Sequence, residues 1–117
     1  MVSNSSEAKQ GNAVNDPVIR KFLRQIAPVR RRIEKLILFG SRARGDDKHY
    51  SDYDILVVLA EKDRPLIDAL YDATMEVLYQ THRLISLKIY RKADFDRFAA
   101  LPTPFIGNVL REGVPLG

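Results

Sequence analysis

The sequence predicts one α/β domain, a small mixed β-sheet with helices packed mainly on one face. Two observations carry that reading. Short apolar runs of strand length, residues 36–39 and 53–59, alternate with longer segments whose apolar residues recur at helical spacing. The helical segments also open on residues that cap helices, each followed closely by proline: Asp16 before Pro17, Asp63 before Pro65, and Thr103 before Pro104. A chain of 117 residues holds one such domain and no second of ordinary size.

In chain order, residues 1–15 are polar and aperiodic and read as a leader, with the folded domain spanning residues 16–117. Val18, Ile19, Phe22, Leu23 and Ile26 give the first helix its inner stripe, and Pro28 ends or bends it. The apolar run 36–39, closed by Gly40, reads as a buried strand. Residues 41–44 fit a single helical turn, and 45–51 a polar loop. Residues 53–59 form the strongest strand, rich in β-formers. Asp63 then caps a long helix with Ile67, Leu70, Thr74, Val77 and Leu78 facing inward. Ile85, Leu87 and Ile89 alternate in a third strand over 84–90. A short helix carries Phe95 and Phe98. A last one carries Phe105, Ile106, Val109 and Leu110 as a core stripe and stops at Gly113.

Composition removes several classes of function. The absence of cysteine excludes a disulfide framework, a zinc finger and a thiol nucleophile. Two histidines, His49 and His82, are too few for a histidine-rich metal site; the first reads as an exposed loop residue, the second as the end of the long helix. No apolar run approaches a membrane span, and the N-terminus lacks the apolar stretch of a secretory signal, so a cytoplasmic domain is expected. Nineteen Lys and Arg stand against 15 Asp and Glu, and nine of the cations fall between positions 20 and 44, with Glu34 as the one acid there. That half suits an anionic partner, phosphate or nucleic acid, or else a solvated helix face.

One segment concentrates the chemistry. Gly40 and Ser41 lie between a strand and a helical turn, where backbone N–H groups and the serine hydroxyl make an anion site, with Arg42 and Arg44 supplying positive charge. Asp52 and Asp54 open the strongest strand two residues apart, so both carboxylates project from one face with Cα atoms about 6.5–7 Å apart. At an effective dielectric near 20 their repulsion is roughly 2 kcal/mol, which a cation between them would relieve. Hard divalent ions such as Mg²⁺ take oxygen ligands and share them with substrate phosphates. Phosphates at Gly40-Ser41 and cations at Asp52 and Asp54 together describe one bound species, a metal–nucleoside triphosphate.

Gly40-Ser41, ten intervening residues, then Asp52-x-Asp54 and an apolar strand resemble the signature of the DNA polymerase β-like nucleotidyltransferase superfamily. The stretch LFGSRARGDDKHYSDYDILVV is most similar to the minimal nucleotidyltransferases, and the resemblance extends from about residue 16 to the end. It implies two Mg²⁺ ions on Asp52 and Asp54 and ATP as the nucleotide substrate. The triphosphate would be held by Gly40, Ser41, Arg42, Arg44 and Ser51, with a nucleotidyl group, AMP, passing to an acceptor. It also implies pairing with a separate all-helical HEPN protein as antitoxin and toxin. In one respect the sequence departs from the family. Where its members carry a third carboxylate on a later strand, this chain has Ser86, followed by Lys88 on the same face. A serine is neither a useful base nor a strong metal ligand near neutral pH. A catalytically weak module that binds nucleotide or masks a partner is therefore the alternative. A nucleic-acid binder using the cations of residues 20–32 is a third reading. Self-association is left open.

Overall fold

The structure, a computed structural model, describes residues 13–45, 48, 51–101 and 103–117. Helix α1 (Pro17–Ile26) runs into a 3₁₀ segment (Ala27–Arg32) at Pro28, as the proline requires. Strand β1 (Ile33–Phe39), the helical turn α2 (Ser41–Arg44), strand β2 (Tyr53–Leu59) and helix α3 (Arg64–Thr81) follow. Strand β3 (Ile85–Arg91), helices α4 (Lys92–Ala100) and α5 (Pro104–Glu112), and the two-residue strand β4 (Val114–Pro115) complete the chain. Asp16, Asp63 and Thr103 each accept backbone N–H bonds at the first turn of α1, α3 and α5. At the far end of α3, His82 adopts the left-handed conformation and closes the helix by donating its N–H to the Leu78 carbonyl.

The sheet has the order β3-β2-β1-β4. β1 is antiparallel to β2 and β4, and β2 is parallel to β3, with α3 as the crossover. β2 lies between two neighbours and is apolar on both sides: Ile55, Leu56, Val57, Val58 and Leu59 are all fully buried. Each contributes roughly 1.5–3 kcal/mol of apolar burial. Alternation sends Ile55, Val57 and Leu59 to one face, where they meet Ile19, Phe22 and Ile26 of α1 and Leu66, Leu70 and Val77 of α3. Leu56 and Val58 point the other way, to Phe95, Ile106 and Val109.

The mixed sheet is the one expected, and the two long helices share a face. The opposite face is not left bare, because α4 and α5 cover part of it around Leu56 and Val58. β1 starts at Ile33, three residues earlier than the apolar run suggests, because an irregularity between Ile33 and Lys35 breaks the alternation there. Packing begins within the expected leader, since Ala13 is buried in the α1–α3 cluster. Phe105 and Leu110, expected in the core, are exposed, as α5 turns only Ile106 and Val109 fully inward. Among the described residues no helix is long and apolar enough to cross a membrane.

Candidate active site

The turn from β1 into α2 is built on Gly40. Its φ of +79° and ψ of −158° fall in a region essentially restricted to glycine. Its carbonyl accepts the N–H groups of Ala43 and Arg44, both at 3.1 Å, which winds α2. Opposite it, β2 begins. The register sets Phe39 beside Asp54 and Asp54 beside Ser86. The Gly40 backbone and the Asp54 carboxylate pack so closely that a Cβ on residue 40 would stand 2.6 Å from Asp54 Oδ2. The Gly40 turn and Asp54 therefore lie side by side.

Asp54 is half-buried and Asp52 exposed. Burial, then the neighbouring Asp52 charge, pushes the Asp54 carboxyl above the ordinary carboxylate range, while Lys88 opposes the rise. Ser86 lies on the adjacent strand at the level of Asp54. The side-chain oxygens of Ser41, Asp52, Asp54 and Ser86 accept no hydrogen bond and form no ion pair among the described residues. That leaves a set of hard oxygen donors with no hydrogen-bonding partner among the described residues. Two carboxylates with a hydroxyl beside them suit a divalent ion such as Mg²⁺, which completes its shell with phosphate oxygens and water. Among the described residues, no cluster of three or more acidic or imidazole groups adds to that pair.

Both arginines next to the turn make contacts within the protein. Arg42 lies over the Tyr53 ring, 4.2 Å from its centroid, and donates to the carbonyls of Ser51 (3.0 Å) and Lys48 (3.4 Å). The Ser51 hydroxyl accepts the Lys48 N–H within the same loop. Tyr53 in turn donates to the Asp16 carboxylate, whose oxygens lie 2.8 and 3.0 Å away and which also caps α1. Burial and this bond raise the Tyr53 hydroxyl to a pKa of about 12. A chain of contacts thus runs from the α1 cap through Tyr53 and Arg42 to the backbone just before Asp52. Nothing in the local sequence marks it, since its members come from positions 16, 42, 51 and 53. Arg44 approaches Glu112 of α5 at 3.9 Å. His49 lies outside the described residues.

This arrangement makes Arg42 a positioning residue for the loop carrying Asp52. If the site performs the nucleotidyl transfer that the motif implies, Arg42→Ala is expected to lower its rate about 10- to 100-fold, with a much smaller change in nucleotide affinity. Arg42→Lys is expected to restore little, because an ammonium neither stacks as a plane on Tyr53 nor presents the fixed fork of donors of a guanidinium. Single-turnover rates compared with equilibrium ATP titrations check this. A loss confined to affinity would return Arg42 to the role of phosphate ligand.

Two recesses adjoin α2. The larger, about 280 Å³, is bounded by Asp16, Tyr53 and Arg42 and includes none of Gly40, Ser41, Asp52, Asp54 or Ser86. The smaller, about 190 Å³, opens beside Gly40 and against α5.

A mixed sheet that presses a Gly-Ser turn against the acid pair at the start of its central strand defines a nucleotidyltransferase domain. The family model of polymerase beta nucleotidyltransferases matches residues 21–116, and the chain belongs to that family. It is 33% identical over 99 residues to "Putative protein adenylyltransferase MJ0604" of Methanocaldococcus jannaschii, covering 84% of this chain and 93% of that one. A crystal structure of a toxin-antitoxin with AMP-PNP shares the fold, with a TM-score of 0.53 at 22% identity over 88% of this chain and 73% of the other.

Proposed function

We propose that this protein is a Mg²⁺-dependent adenylyltransferase that moves AMP from ATP to a hydroxyl on a partner protein. The observation that carries the reading is the close approach of the Gly40 backbone to the Asp54 carboxylate, which sets the turn we assign to phosphate beside an acid we assign to the cation. The curated relative, described as a protein adenylyltransferase and matched over nearly its whole length, supports AMP as the group transferred and a protein as the acceptor.

In the reaction, the acceptor oxygen attacks the α-phosphorus. A new P–O bond forms as the bond to the β-phosphate oxygen breaks, and pyrophosphate leaves with that electron pair. Mg²⁺ on Asp52 and Asp54 would supply charge neutralisation of the phosphates and of the leaving oxygen. The Ser41 hydroxyl and the turn following Gly40 orient the triphosphate. With Ser86 rather than a carboxylate beside Asp54, the acceptor proton passes to water or to a group on the partner. That substitution limits the rate by an expected 10²–10⁴-fold relative to a site with a built-in base. A reaction that consumes ATP fits the cytoplasmic location expected from the sequence. The acceptor we favour is a separate helical toxin of the HEPN type, as the resemblance of the motif implies; the solved structure that shares the fold is described as a toxin-antitoxin.

Ser86 also favours a second reading, a module that binds nucleotide and covers its partner without transfer. Incubation with α-labelled ATP, Mg²⁺ and candidate partners separates the two. Label on the partner, lost with Asp52→Asn, supports the enzyme. ATP binding without label on any partner supports the module.

A further inference from the structure

We propose that the recess between Gly40 and α5 is the nucleoside subsite, where Phe105 stacks the base and Asn108 with Glu112 reads the edge of adenine. The inference rests on the reading above and deepens it by assigning the part of the nucleotide that the signature motif leaves unassigned. Gly40 borders both the recess and the Asp54 carboxylate, so a triphosphate bound at the Gly40-Ser41 turn has the recess directly beside it. The volume, about 190 Å³, is below the roughly 300–1,000 Å³ of a pocket for a whole ligand and suits a single ring system.

The walls match a base. Phe105 is 37% exposed although it lies on the same helix as the fully inward Ile106 and Val109. Its ring is held edge-on to Phe39, with centroids 5.3 Å apart and planes at 85°. That contact fixes the ring and leaves surface available for stacking. Asn108 lies one helical turn further on, and Arg111 donates to its amide oxygen. The bond fixes the amide so that its NH₂ remains as a donor. Glu112, another turn on, supplies an acceptor, with Arg44 3.9 Å from its carboxylate. One donor and one acceptor match the N7 acceptor and N6 amino group of adenine. The O6 and N7 acceptors of guanine would leave the carboxylate facing an oxygen. The phenyl group thus gives affinity for any purine, and the polar pair gives the preference for adenine.

Calorimetric titration of the full chain with ATP, GTP and inorganic tripolyphosphate, each with Mg²⁺, tests this. Phe105→Ala is expected to weaken ATP binding about 5- to 150-fold, the effect of losing one base–aromatic stack, with tripolyphosphate affinity unchanged. Phe105→Tyr keeps the ring and is expected to retain ATP affinity, which separates lost stacking from a disturbed helix. Glu112→Gln is expected to reduce the preference for ATP over GTP. The subsite alone is overturned if Phe105→Ala binds ATP as the unmodified chain does, or if that chain binds tripolyphosphate as tightly as ATP. If it binds neither ligand, the transferase reading fails and the subsite with it.

Discussion

Gly40→Ala is expected to abolish nucleotidyl transfer and to lower the melting temperature by roughly 5–15 °C. Two independent costs meet at this position. Alanine at φ +79° and ψ −158° enters a backbone region that side chains avoid, at about 1–3 kcal/mol. For a domain of this size each kcal/mol shifts the midpoint by roughly 4–8 °C. The added methyl would also stand 2.6 Å from Asp54 Oδ2, closer than real side chains approach. The carboxylate must then swing away from the turn it faces, so the proposed phosphate and cation sites would separate even in molecules that remain folded. Thermal melts alongside label transfer check both parts. An alanine variant with near-normal transfer would mean that the turn and the acid pair do not act together.

Asp54→Asn is expected to act in opposite directions on stability and activity. The native environment disfavours the ionised carboxyl, by burial first and by Asp52 second, so its folded-state pKa lies above the unfolded value. The folded protein therefore binds this proton more tightly than the unfolded chain. The stabilisation that protonation gives is complete below the unfolded pKa and is lost as pH rises through the folded one. At neutral pH the neutral amide escapes that penalty, so the variant should unfold at higher urea concentration than the unmodified chain. The gap should narrow in mildly acidic buffer as Asp54 itself takes up a proton. On the proposed function, transfer should meanwhile fall about 10³-fold or more, because the proposed metal ligand, contributing several kcal/mol to the transition state, would be gone. Urea titrations at the two pH values, paired with labelled transfer, give the comparison. Equal stability at both would remove the proposed strain at Asp54.

The elements were legible where the signal is local. The Asp16, Asp63 and Thr103 caps, the turn over Ser41–Arg44 and the strand Tyr53–Leu59 each rest on residues adjacent in the chain, and the structure has them in place. The Gly40–Asp54 convergence was legible because a strand, a turn and a neighbouring strand leave little freedom in where that turn points. What escaped depends on distant partners. β4 pairs only two residues with β1 and carries no periodicity of its own. Phe105 resembles a core residue in any local window, and only the placement of α5 over Phe39 shows that its ring borders a recess. The contacts of Arg42 with the Ser51 and Lys48 carbonyls and the Tyr53 ring were likewise not legible, because charge and neighbourhood point only to a phosphate.

The link through Tyr53 makes the mouth of the first helix and the strip of backbone delivering Asp52 mechanically one unit. Fraying of that helix start would slacken the hold on the backbone before Asp52. Catalytic readiness would then fade ahead of global melting, like a string losing pitch while its frame still stands.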